Sequence, residues 1–126
     1  MINKSGSRVK EGGSEVYPVE MENQAEWEQS LSTVAFLAKS LSDENRLRVL
    51  ISLREGRLSV SSLVEALQLS QPLISHHLKE LKRSLLVKVE RNGPFIYYEL
   101  ADKRILQIIK DLETVAGELL ANRRTF

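Results

Sequence analysis

The side chains able to ligate or react are few and unusually placed. The chain has 126 residues, no cysteine and two histidines, and those two, His76 and His77, are adjacent. Without thiols there is no disulfide, thiolate metal site, thiol redox sensor or cysteine nucleophile. Neighbours on a helix point about 100° apart, so the two imidazoles cannot close on one metal as an i, i+4 pair does. No Ser-His-Asp spacing or glycine-rich phosphate loop accompanies them, and the chain is short for building a cleft. An enzyme, a cofactor and a metal ligand are therefore not expected. Asp43-Glu44 reads as a helix start, not a cofactor box. What remains is hydrogen-bonding chemistry. Gln71, Ser75, His76 and Lys79 lie along one segment, and small polar and basic groups side by side suit the edges of base pairs in a major groove.

Such groups need a helix to present them. Gln71 to Ser84 has that pattern: Ser70 is placed to cap it and Pro72 falls in the first turn, where a missing N–H costs little. At about 100° per residue, Ile74, Leu78, Leu81 and Leu85 fall within about 60° of one another and define the core side. Pro72, His76, Lys79 and Arg83 lie opposite, Ser75 and Lys82 on one flank. His77 lies on the other flank, nearer the core, and is expected to be packed and hydrogen-bonded. A shorter helix, from Ser59 to Leu67, precedes this one across Gln68-Leu69-Ser70, which is a helix-turn-helix spacing.

The surrounding elements follow from periodicity. Trp27, Leu31, Val34, Ala38 and Leu41 mark a first helix. Ser42 is expected to cap a second, with Leu47, Leu50 and Ile51 inward and Gly56 as its stop. Leu86 to Glu90 and Phe95 to Leu100 read as strands around Asn92-Gly93, a hairpin signal whose turn type Pro94 complicates. A last helix starts near Asp102 with the stripe Ile105, Ile108, Ile109, Leu112, Val115 and Leu119. The order H-H-H-H-E-E-H is a winged helix-turn-helix, mostly α with a small β-hairpin.

Charge and apolar surface add partners. Net charge is only +1, but residues 70–98 carry +3, from Lys79, Lys82, Arg83, Lys88 and Arg91 against Glu80 and Glu90. That is the footprint of a nucleic-acid binder. Lys79, Arg83 and Arg91 sit where phosphates are expected, and Asn92 joins Arg91 near the hairpin tip. Trp27 and Leu31 on the first helix, and Ile108, Leu112 and Leu119 on the last, exceed what one small core needs, so a homodimer through those helices is expected. Residues 1–20 lack periodicity and read as a flexible tail ahead of a domain over 21–126. No apolar run approaches the ~20 residues of a membrane span, and Met1 to Glu20 has no signal-peptide core, so a cytoplasmic protein without membrane contact is expected.

Three segments together resemble the ArsR-type family of small bacterial winged-helix repressors over about residues 28–120: Ser40 to Leu50, Leu69 to Lys79 (LSQPLISHHLK), and Arg91-Asn92-Gly93 through Leu100. The resemblance implies a dimeric repressor of double-stranded DNA, usually released by a ligand. It implies that Gln71, Ser75 and His76 reach bases, with Ser70 and Lys79 on phosphates. The departures concern the signal. Where metal-sensing relatives have cysteines in the third helix, Arg57-Leu58-Ser59-Val60-Ser61-Ser62-Leu63 offers serines, which are poor ligands for soft metals. Where others bind zinc between last helices, Asp102 and Glu118 match the acids, but Arg104 and Val115 occupy the histidine places. The inducer stays open: none, a small organic molecule, or an unrecognised carboxylate metal site. The alternative to a DNA binder is a winged-helix protein-interaction module, which should lack steep salt dependence on DNA.

Overall fold

The computed structural model describes residues 24–123, and the tail expected at residues 1–20 lies outside them. The chain divides between Phe36 and Leu37 into two units. The first holds the front of α1 (Gln24–Ser40), a 17-residue helix with no buried residue. Its Trp27, Leu31, Val34 and Phe36 are 38–58% exposed.

The second unit carries the core. It opens at the end of α1 and continues into α2 (Glu44–Ser52). The cap of α2 is Asp43, not Ser42: Asp43 Oδ1 accepts the N–H groups of Asn45 at 2.8 Å and Arg46 at 3.0 Å. A carboxylate takes both amides and favours the positive helix end, whereas the Ser42 hydroxyl is spent donating to the Lys39 carbonyl at 2.7 Å. The buried stripe is also rotated from the expected one. Val49, Leu50 and Leu53 are buried, while Ile51 is exposed.

Then comes a strand that the sequence pattern did not suggest, β1 (Leu58–Ser59), followed by α3 (Val60–Leu67) and α4 (Gln71–Arg83). Ser59 ends the strand and caps α3, its Oγ accepting the Ser62 N–H at 3.1 Å. Leu63 from α3 and Ile74, Leu78 and Leu81 from α4 are fully buried, joining α2.

Leu85 was expected to continue that inward row, yet it is 77% exposed. The helix has already ended. Leu85 adopts φ +65°, its N–H bonds the Lys82 carbonyl at 3.0 Å, and Leu86 N–H reaches back to Leu81 at 2.9 Å. This is a Schellman motif with leucine where glycine usually stands. Leu86 takes the core place instead, 1% exposed.

β2 (Val87–Asn92) and β3 (Phe95–Leu100) form the wing, with β1 on the other edge of β3 in the antiparallel order β1-β3-β2. Asn92 pairs with Phe95, so the two loop residues are Gly93-Pro94, not Asn92-Gly93. Gly93 at φ +62° followed by a ring-locked proline has the sign pattern of a type II′ turn. α5 (Arg104–Ala121) buries only Ile105, while Ile108, Leu112, Val115 and Leu119 are 42–67% exposed. The second unit is thus a winged helix-turn-helix with three strands in place of two.

Candidate nucleic-acid interface

The polar face of α4 begins at its cap. Ser70 Oγ accepts the Leu73 N–H at 3.3 Å, and Pro72 in the first turn sacrifices no helical hydrogen bond. The serine spends a lone pair on this cap and keeps its O–H for another acceptor. With Ile74, Leu78 and Leu81 locked in the core, the opposite side must face out. Gln71, Ser75, His76 and Lys79 are all exposed along it. The structure therefore brings these four onto one helix face, from its first turn to its third.

The backbone candidates are spread more widely. Ser70 is exposed at the cap, and Arg91 and Asn92 are exposed near the tip of the wing. Lys79 and Arg91 form no ion pair among the described residues. Arg83 is exposed at the far end of α4, where its Nη1 lies 3.5 Å from Glu80 Oε1. Its charge is partly answered inside the helix. Lys88 likewise meets Glu99 across the hairpin at 3.5 Å.

His77 is a packing residue. It is 4% exposed, but neither ring nitrogen has a hydrogen-bond partner among the described residues, so the expected hydrogen-bonded histidine is instead unsatisfied there. Its nearest charge is Asp43, with Nε2 3.9 Å from Oδ1. Burial pushes the imidazole below its ordinary pKa, against the opposing pull of Asp43. Asp43 itself is held low, first by the N–H of Arg46. Arg46 also ties in the preceding helix, donating to the carbonyls of Ser40 at 2.7 Å and Lys39 at 3.2 Å. Asp43 and Arg46 thus tie the end of α1 to the start of α2, and His77 packs beside Asp43 from the back of α4.

Residues that the sequence pattern does not single out for DNA contact join the expected Gln71 to complete the surface. Ser59, Ser61, Val64 and Gln71 line one side of an open cleft of about 510 Å³, with Pro94, Phe95 and Ile96 of the wing on the other. Phe95 is 60% exposed. Arg57 also borders the wing, 2.8 Å from Glu90. Only its basic charge signalled it in the sequence. Tyr97 and Tyr98 are both half-buried, Tyr98 against the core.

At the start of α5, the two family-matched positions 102 and 104 bind each other. Arg104 Nη2 lies 2.7 Å and Nε 3.1 Å from Asp102 Oδ2. The Arg104 side chain holds the Asp102 carboxyl down to about 2.

Comparison with known proteins agrees with this geometry. The family model described as bacterial regulatory protein, arsR family, matches residues 43–89, which run from the α2 cap into the wing. The HTH-type transcriptional repressor SmtB of Mycobacterium tuberculosis is 39% identical over 88 residues, 70% of this chain, and the match spans 65% of that protein's length. The crystal structure of the transcriptional repressor BigR from Xylella fastidiosa superimposes with a TM-score of 0.65 at 32% identity, covering 74% of this chain and 95% of that one. The homodimeric winged helix-turn-helix DNA-binding domain of Mb0332 from Mycobacterium bovis gives a TM-score of 0.66 at 26% identity, covering 82% and 96%. The fold, the helix-turn-helix at its centre and these likenesses together place this chain in the bacterial arsR family of regulatory proteins.

Proposed function

We propose that the chain is a sequence-specific DNA-binding transcriptional regulator, a homodimeric repressor acting on an inverted-repeat operator. The observation that carries this reading is the outward face of α4. Its exposed Gln71, Ser75, His76 and Lys79 sit beside a wing bearing the exposed Arg91. In this reading Gln71, Ser75 and His76 meet base edges, while Ser70, Lys79, Arg83, Arg91 and Asn92 grip the backbone. The exposed apolar stripe of α5, with Ile108, Leu112 and Leu119, supports a dimer, as do Trp27 and Leu31 on α1. Two α4 helices would then enter successive major grooves about 34 Å apart, and occlusion of polymerase represses transcription. DNA binding and dimerisation reside within residues 21–126, the chain acts in the cytoplasm, and no catalysis is assigned.

Serines at positions 59 and 61, and an Arg104 already committed to Asp102, support a regulator without the cysteine and histidine metal sites of its sensing relatives. Its inducer, where one exists, is then a small organic molecule or a metal held by carboxylates. The test of the DNA reading is binding of a duplex selected by the protein from a random-sequence pool, measured across salt concentrations. A regulator loses affinity steeply, with a log–log slope near −0.9 for each phosphate neutralised. A flat response would favour a protein-interaction module and defeat the proposal.

A further inference from the structure

We propose that Arg57 is a positioning residue that latches the wing in the attitude at which it meets DNA. Groups from both wing strands and from the segment before β1 meet at this point. Arg57 Nη1 lies 2.8 Å from Glu90 Oε1 on β2, and the guanidinium carbon sits 4.5 Å over the ring of Tyr97 on β3. The strand register explains the meeting. Tyr97 pairs with Glu90 on one side and with Ser59 on the other, so the Arg57 side chain spans the central strand from one edge of the sheet to the other.

The latch matters because of how little else holds this edge. β1 is two residues long, and a lone two-stranded ribbon is marginally stable in water. Fixing Glu90 fixes β2 immediately before Arg91 and Asn92, the wing groups assigned to the DNA backbone. The pair is substantially exposed, with side chains 38% and 49% accessible. An exposed pair adds little to global stability, so the effect of the latch lies in where the wing points, with no effect on whether the chain folds.

This inference rests on the DNA-binding reading, and its test separates the two. Glu90→Gln is made in the full chain. By charge alone, removing a carboxylate near the wing tightens binding to DNA. The latch predicts the opposite: affinity for the selected duplex falls about two- to fivefold. Amide hydrogen exchange from Arg91 to Ile96 in the free protein quickens, and the denaturation midpoint does not move. Exchanging the charges, Arg57→Glu with Glu90→Arg, recovers affinity and protection beyond either single change. Unchanged exchange of the wing amides overturns the latch whatever the affinity, and so does a Glu90→Gln affinity equal to or above that of the unaltered protein. If the unaltered protein shows no salt-dependent DNA binding, the DNA reading fails, and the exchange measurement still decides whether the latch exists.

Discussion

Ser70 joins folding and binding at one atom, and two substitutions pull them apart. Its Oγ accepts the Leu73 N–H at 3.3 Å, while in the proposed complex its O–H donates to a phosphate. Ser70→Ala removes both interactions. Loss of a serine cap costs about 0.5–2 kcal/mol, and the long bond here places this one near the lower end, roughly 0.5–1 kcal/mol. For a domain of this size that lowers Tm by about 2–8 °C. Ser70→Asp keeps the cap acceptor and adds a negative charge at the positive end of α4, so stability holds or rises by about 0.3–1 kcal/mol. On DNA the order reverses. A carboxylate about 5 Å from a phosphate is repelled by about 0.8 kcal/mol in bulk water and about 3 kcal/mol at an effective dielectric near 20. With the lost hydrogen bond of about 1 kcal/mol, Ser70→Asp weakens each half-site about twentyfold to nearly a thousandfold, and Ser70→Ala only about fivefold. Denaturant midpoints and binding to selected and random duplexes, measured on the same preparations, give both orders. A Ser70→Asp protein that folds normally and binds either DNA as tightly as the parent would refute the path of the phosphates over the start of α4.

Three further outcomes follow from the same structure. Leu85→Gly relieves a left-handed leucine, a strain of about 1–2 kcal/mol, at an entropic cost of about 0.5–1 kcal/mol, so urea denaturation should show a net gain of up to about 1.5 kcal/mol with an unchanged m-value. A loss would mean that the 77% exposed side chain makes a contact in the assembled protein. His77, held below its ordinary 6.5 by burial, contributes stability that is fully present above that pH; it declines as pH falls below 6.5 and is gone once pH has fallen through the lowered native value. Asp43, also lowered, adds a second loss only as pH falls below 3.8. Unfolding free energies taken from about pH 8 to pH 5 should fall in the parent and flatten in His77→Leu, and equal slopes would contradict the buried neutral imidazole. Leu112→Asp places a charge in the apolar stripe of α5 and costs the dimer several kcal/mol; sedimentation should show monomer, and a persisting dimer would move the interface off that helix.

The helices were legible because their apolar spacing is enforced by one buried face. α3 and α4, with Ser59 and Ser70 before them and Leu63, Ile74, Leu78 and Leu81 inward, are where periodicity, cap and turn length agree. Periodicity failed where the helix had already ended. Leu85 sits at the right angle for an inward residue, but only if α4 continues past Ser84, and the return bond from Leu86 to Leu81 shows that it does not. β1 was invisible because two residues cannot show alternation; their strand character comes from Tyr97 and Tyr98, about 40 positions later. The same distance hid Arg57, whose partners lie in the wing. For α4 the polar face could be read from angles alone, since one helix sets every relationship. The histidine reading was half legible. His77 is packed as its flank position suggests, but the missing hydrogen bond depends on what the start of α2 places opposite, where Asp43 stands 3.9 Å away, too far to accept one.

The central claim is that α4 reads bases while the wing grips backbone. The most direct test is the affinity of Ser75→Ala, His76→Ala and Arg91→Ala proteins for the selected duplex and for random duplex at several salt concentrations. The two α4 changes should each cost about 1–3 kcal/mol on the selected duplex and little on random DNA. Arg91→Ala should weaken both and flatten the salt slope by about one unit per neutralised contact, or about two in a symmetric dimer. If Ser75→Ala and His76→Ala leave affinity unchanged while the protein still discriminates its selected duplex, α4 is not the reader and the account is wrong.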